Sequence, residues 1–146
     1  MKSVHKSVLI WYSAEEMFAL VTDIDSYPQF LPWCDRARVL DRSDGGMTAE
    51  MGISFAGIRQ TFVTRNEHQA GRQVDIKLVK GPFSNLDGHW TFTPVGSPGQ
   101  RSCKVDLELQ YSFDSVALAA VVGPVFDRIA GSLVDAFVKR AEQVYG

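Results

Sequence analysis

The chain is poor in the residues and runs that mark most specialised functions. It has two cysteines in 146 residues, Cys34 and Cys103, with no CxxC spacing and no histidine close to either in sequence. Neither a disulfide framework nor a zinc site is expected, and both thiols read as reduced groups of a core or cavity. No glycine-rich phosphate loop, HExxH motif or nucleophile elbow occurs, and His5, His68 and His89 have no serine, cysteine or carboxylate arranged around them by motif. No catalytic residue and no metal ligand is assigned. An excess of one charge is also missing, the net charge being -2 and the pI near 5.9. A nucleic-acid-binding domain usually has a pI above about 9, so DNA is not an expected partner and any RNA contact must come from a local patch. The first ten residues interrupt their apolar side chains with Lys2, His5 and Lys6 and lack the run of a signal peptide. The longest weakly polar stretch, 116–125, is shorter than the roughly 20 residues of a membrane span. A cytoplasmic protein is expected, one that touches a membrane surface at most.

Apolar and aromatic residues are what the chain does have. They make up 45% of it, with nine phenylalanines, four tyrosines and three tryptophans, against 22% charged residues. A chain of this length buries roughly two thirds of the surface that its unfolded form exposes, and a single domain over 1–146 is expected. One segment stands out. Residues 27–34 read Tyr-Pro-Gln-Phe-Leu-Pro-Trp-Cys, where two prolines fix φ, remove donors and restrict the residue before each. Tyr27, Phe30, Leu31 and Trp33 must therefore project from a bend, where they either cap the core or line a cavity.

The hydrophobic pattern lays out the rest. A strand is expected over residues 2–11, and a capping box of Ser13 and Glu16 opens a helix with Met17, Phe18, Leu20 and Val21 at helical spacing. A second short helical turn runs from Ser26 with Pro28 in its first turn and stops before Pro32. Strands follow at 37–40, 47–55, 58–67, 73–80, 86–92 and 104–113, separated by turn signals at Asp44-Gly45-Gly46, Ala56-Gly57, Ala70-Gly71, a loop over 80–85 and Pro94 to Gln100. The clearest alternates Val105, Leu107, Leu109, Tyr111 and Phe113 against Lys104, Asp106, Glu108, Gln110 and Ser112. After Asp114 or Ser115 as N-cap, a helical stripe of Ala119, Val122, Phe126, Ile129, Ala130, Leu133, Phe137 and Ala141 runs to the end. Gly123-Pro124 is expected to kink or split it. An antiparallel sheet must cover its apolar face, and only the last helix is long enough. The expected fold class is α+β, a curved antiparallel sheet of about seven strands wrapped around a long C-terminal helix, with two short helices after the first strand.

That order, with the Tyr27–Cys34 segment and Gly81-Pro82-Phe83 followed by Leu86-x-Gly88-x-Trp90-x-Phe92, resembles one family of the START-like helix-grip superfamily over essentially the whole chain. The family holds the coenzyme-Q-binding START proteins and the ribosome-association toxins of the RatA type. Its wider label, polyketide cyclase/dehydrase, implies an enzyme only loosely, because fold does not fix function. The resemblance implies a helix-grip (START/Bet v 1-like) fold with an elongated apolar cavity. It further implies either a ubiquinone-like isoprenoid lipid as ligand, in support of respiration at the inner membrane, or the large ribosomal subunit as partner. No cofactor is required by either.

The expected cavity lining is Tyr27, Phe30, Leu31 and Trp33 from the bend; Met51, Ile53, Phe55 and Phe62 from the middle strands; Leu78, Phe83, Leu86, Trp90 and Phe92 beyond them; and Val122, Phe126 and Ile129 from the helix. The same periodic residues also suit a plain core. Tyr27, Gln60, Lys80 and His89 are the polar groups weighed for orienting a quinone carbonyl, with His89 outward by parity. For a ribosome contact the candidates are Arg59, Arg65 and Lys77, within an outer face that also carries Arg36, Arg38, Arg42 and Arg72 beside Asp35, Asp41, Asp44, Glu67 and Asp75. Arginine suits phosphate, but a mixed solvated face is the common case.

Overall fold

The computed structural model describes residues 2–43, 45–55 and 57–146. Two positions of the expected turns, Asp44 and Ala56, lie outside the described residues. Seven strands and three α-helices follow in order: β1 (Lys2–Ile10), α1 (Ala14–Thr22), a 3-10 turn (Ile24–Ser26), α2 (Tyr27–Phe30), β2 (Cys34–Ser43), β3 (Gly46–Phe55), β4 (Ile58–Gln69), β5 (Gln73–Lys80), β6 (Phe83–Pro94), β7 (Cys103–Phe113) and α3 (Val116–Tyr145). The strands form one antiparallel sheet in the order β1-β7-β6-β5-β4-β3-β2. Strands β2 to β7 are a continuous meander, and β1 returns to pair with β7. The helix-grip arrangement expected from the sequence is the one observed.

Local chemistry accounts for the boundaries. The Ser13 hydroxyl accepts from the Glu16 amide at 3.0 Å and the Glu16 carboxylate accepts from the Ser13 amide at 2.9 Å, so the capping box that starts α1 is complete. Pro28 sits in the first turn of α2, where its missing N–H costs nothing, and Leu31 is extended ahead of Pro32. Ser115 caps α3 by accepting from the Leu118 amide.

Several strand ends move by one or two residues, and three larger differences from expectation stand out. Strand β2 runs over Cys34–Ser43 rather than 37–40, because two register shifts break the alternation by which it was read. The loop expected over 80–85 shrinks to Gly81-Pro82, and β6 starts at Phe83. Phe83 pairs with Phe113 and stacks on its ring at 5.1 Å. A Cβ on Gly81 would stand 2.6 Å from the Cβ of Phe62, so only glycine lets the turn lie this close to β4. Finally, α3 is one uninterrupted helix through Pro124. Pro124 and Ala120, whose carbonyl loses its helical donor, are both exposed, so water can satisfy that carbonyl.

Helix α3 lies along the concave face of the sheet. Its buried residues include Val122, Phe126, Ile129, Ala130, Val134, Phe137 and Ala141, while Ala119 of the expected stripe is exposed, on a groove that it shares with Lys2, Tyr111 and Phe113. By length and composition α3 could cross a bilayer, which the stretch 116–125 alone did not suggest, but a third of its most apolar window is buried within the protein.

Candidate ligand-binding site

Two aromatic clusters hold α3 to the rest of the protein. Phe126 packs on Tyr111 at 4.7 Å and Phe83 at 4.9 Å, with Phe113 behind them. Eleven residues on, roughly 16 Å along the helix, Phe137 meets Trp90 at 5.3 Å, Tyr27 at 5.4 Å and Phe30 at 5.2 Å. Between the clusters the packing is incomplete. A cavity of about 70 Å³ remains, lined by Tyr27, Trp33, Met51, Phe62, Thr64, Ile76, Leu86, Trp90, Leu109, Phe126, Ile129, Leu133 and Phe137.

Eight of the sixteen expected lining residues therefore meet in one cavity: Tyr27, Trp33, Met51, Phe62, Leu86, Trp90, Phe126 and Ile129. The other eight are elsewhere, each for a packing reason. Phe83 is wedged among Phe62, Phe113 and Phe126, and Phe92 lies between Phe18 and Trp90. Leu31 is buried in the core, and Val122 is buried a turn of α3 beyond the cavity. Leu78 is half-buried against the core. Phe55 turns to Arg128, whose guanidinium sits 5.7 Å from its ring, and Ile53 borders a polar groove with Asp35, Arg36 and Arg59. Phe30 lines an outer groove of about 560 Å³ between the bend and α3, with Gln29, Pro32, Trp33, Asp135, Lys139 and Arg140 among its walls. Trp33 belongs to both spaces, so its indole separates the cavity from the groove.

The polar groups weighed for the ligand are not free in the cavity. The Tyr27 hydroxyl donates to the Val21 carbonyl, and burial pushes its pKa far above the ordinary phenol value. His89 is exposed and lies 2.7 Å from the Asp75 carboxylate, Lys80 is exposed, and Gln60 borders the polar groove. The polar groups inside come from β4 instead. Its concave side carries Phe62, Thr64, Asn66 and His68 at every second position, and the Thr64 hydroxyl donates to the Asn66 side-chain oxygen at 2.9 Å. His68 presents its ring to the edge of Phe18 at 5.7 Å, its Nε2 is buried without a partner, and desolvation lowers its pKa. Counting by two from Phe62 was the available signal for this polar row. Ile76, Leu109, Leu133 and Phe137 also line the cavity without having been singled out for it.

Both cysteines are buried and free, and burial pushes each thiol up to about 11. On the outer face, Arg65 and Lys77 are cross-strand neighbours, but Arg59 lies six residues back along β4, roughly 20 Å away. Arg65 already donates to Glu67 and Ser43, Arg59 to Asp35, and Arg36 and Arg38 approach Glu50. The expected contact residues thus do not form one open basic patch.

Comparison with known proteins agrees with this architecture. The model of the family described as polyketide cyclase / dehydrase and lipid transport matches residues 10–138. The Vibrio cholerae protein named ribosome association toxin RatA is 42% identical over 146 residues, covering 100% of this chain and 99% of that protein. The Xenopus laevis mitochondrial protein named coenzyme Q-binding protein COQ10 homolog B is 29% identical over 142 residues, 97% of this chain and 58% of that protein. An aromatase/cyclase of Streptomyces sp. R1128 superposes with a TM-score of 0.83 at 14% identity, over 99% of this chain and 96% of that one, a likeness of fold alone. The fold is the START-like helix grip. The chain belongs to the polyketide cyclase / dehydrase and lipid transport family, with relatives of both the RatA and the COQ10 kind.

Proposed function

We propose that this chain binds an isoprenoid lipid of the quinone class, without catalysing a reaction on it, and serves respiratory electron transport by holding that lipid. The observation that carries this reading is the apolar cavity under α3, where twelve of thirteen lining residues are apolar or aromatic and none is charged. A mostly apolar space with few polar groups is the usual form of a small-molecule site. The flat rings of Tyr27, Trp90 and Phe137 suit a quinone head, and the name of the Xenopus relative and the lipid-transport description of the family point the same way.

The cavity as it stands holds about two water volumes, whereas ligand sites commonly measure about 300–1,000 Å³. Binding must therefore move side chains. Trp33 is the one to move, since swinging it aside joins the cavity to the outer groove, where Lys139, Arg140 and Asp135 can stay hydrated. A mass spectrum of the organic extract from protein purified out of a quinone-containing host tests the reading. Bound quinone is expected; no lipid in the extract, together with no binding of added quinone, would count against it.

A second reading is association with the large ribosomal subunit, favoured by the 42% identity over the full length of the V. cholerae protein named for it. It uses the outer sheet, so it is compatible with a lipid in the cavity. Co-sedimentation with large subunits is the test, with the Arg65→Ala, Lys77→Ala double variant as control. Because most outer arginines already face carboxylates, the salt dependence is expected to be shallow. Unchanged sedimentation of the double variant removes this surface from the reading.

A further inference from the structure

The concave side of β4 carries polar side chains where the rest of the cavity wall is apolar. Thr64 and Asn66 are only 1% and 4% exposed, and they bond to one another at 2.9 Å. Burying a hydroxyl and an amide costs free energy unless their hydrogen-bonding capacity is used. The Asn66 amide has two protons and neither side chain makes another hydrogen bond among the described residues, yet the Asn66 nitrogen is not among their buried unpartnered atoms, so the spare capacity of the pair faces open space rather than packed core. Neighbouring inward positions on β3, Met47, Ala49 and Met51, offer only apolar groups. Apolar groups of the same shape would pack there as well, so packing alone does not call for a polar pair at these positions.

Thr64 is also the polar residue that reaches the cavity. With its proton committed to the Asn66 oxygen, its Oγ lone pairs are left for a donor in the cavity. Rotating the Asn66 amide by half a turn makes Nδ2 the donor to Oγ and frees the threonine proton for an acceptor. The pair can therefore meet either a hydroxyl or a carbonyl. It cannot neutralise a charge, and among the described residues no charged side chain lines the cavity, so an anionic head would be left unpaired there.

We propose that the Thr64–Asn66 pair is the polar subsite of the cavity, where it reads one neutral oxygen, carbonyl or hydroxyl, on an otherwise apolar lipid. The proposal rests on the lipid-binding reading above and narrows it. A quinone carbonyl and the corresponding hydroquinone hydroxyl are both served, because the pair exchanges donor for acceptor by an amide rotation. At this subsite a carboxylate or phosphate is disfavoured for want of a cation, since Lys139 and Arg140 line the outer groove and not the cavity.

The test measures binding of a short-chain ubiquinone, of squalene as an oxygen-free hydrocarbon, and of palmitate, to wild-type protein and to Thr64→Val and Thr64→Ser. Valine keeps the shape of threonine and removes the hydroxyl; should that variant fail to fold, Thr64→Ala, which also removes the hydroxyl, takes its place with the same outcomes. Quinone affinity is expected to fall about tenfold in Thr64→Val, the worth of one hydrogen bond, with squalene unchanged and quinone binding restored in Thr64→Ser. Equal quinone affinity in wild type and Thr64→Val overturns the assignment, as does an equal loss of quinone and squalene, or a palmitate affinity that falls in Thr64→Val as much as that of quinone. If wild-type protein binds none of the three, the lipid reading fails and the subsite with it. If wild type binds quinone and squalene and the valine variant matches it, the subsite alone fails.

Discussion

The ring of Tyr27 meets that of Phe137 edge to face, 5.4 Å between centroids and 71° between planes, while its hydroxyl donates to the carbonyl of Val21. One side chain thus ties the end of α1, the bend and α3 together at the wall of the cavity. It explains why a segment broken by two prolines keeps a defined position. The backbone at Tyr27 adds two short-range bonds, its amide donating to the Ile24 carbonyl and its carbonyl accepting from the Leu31 amide, while the hydroxyl and the ring tie this short turn to α1 and α3.

Removing only the hydroxyl should loosen this junction. Tyr27→Phe leaves the Val21 carbonyl buried without its donor, and a loss of about 1–3 kcal/mol is expected. Urea unfolding measures it, and an unchanged midpoint would show that the hydroxyl does not hold the bend.

Phe137 stands where the cavity, the bend and Trp90 meet. Phe137→Ala should destabilise the protein by about 3–5 kcal/mol through the lost packing and the space left behind. The enlarged cavity should also take up an apolar fluorescent probe faster than wild type does. Slower or equal uptake, in a variant that remains folded, would mean that this ring does not limit access.

At the opposite end of α1, the Arg101 guanidinium grips the Glu16 carboxylate at 2.7 and 2.6 Å. That grip, helped by the bonds from Ser13 and opposed by burial, holds the Glu16 pKa down from 4.5 to about 2. A carboxylate with a lowered folded-state pKa stabilises the protein above its unfolded value, and the contribution disappears as pH falls from about 4.5 to about 2. Arg101→Gln should therefore be less stable than wild type at neutral pH, with the gap closing over that acid window. A gap that stays constant with pH would assign the contribution to packing of Arg101 on Tyr12, 5.0 Å away.

Much of the fold was legible because each strand buries one side. Val105 to Tyr111 at every second position predict β7 as it is found, and Ser13 with Glu16 predict the start of α1. Where two signals competed, the reading failed. Gly81-Pro82 reads as the middle of a loop, yet the stacking of Phe83 on Phe113 extends β6 to within two residues of β5. Pro124 reads as a break, yet its exposed side lets α3 continue. The cavity was only half legible for a different reason. Periodicity tells which side of an element faces inward, but whether an inward side chain lines a void or fills the core depends on the volumes across from it. Phe92 and Trp90 share a face, and only Trp90 reaches the cavity. The polar row on β4 escaped notice because polar residues at inward positions contradict the pattern by which strands are found.

The most direct test of the lipid-binding account uses the protein's own tryptophans. Trp33 and Trp90 line the cavity, whereas Trp11 is 76% exposed. In a Trp11→Phe variant, titration with a short-chain ubiquinone should quench the remaining emission with saturation, because a quinone ring lodged beside an indole quenches it efficiently. Squalene should compete for the site and reverse the quenching. Quenching that rises linearly without saturating, and that matches free tryptophan under the same conditions, would contradict the account.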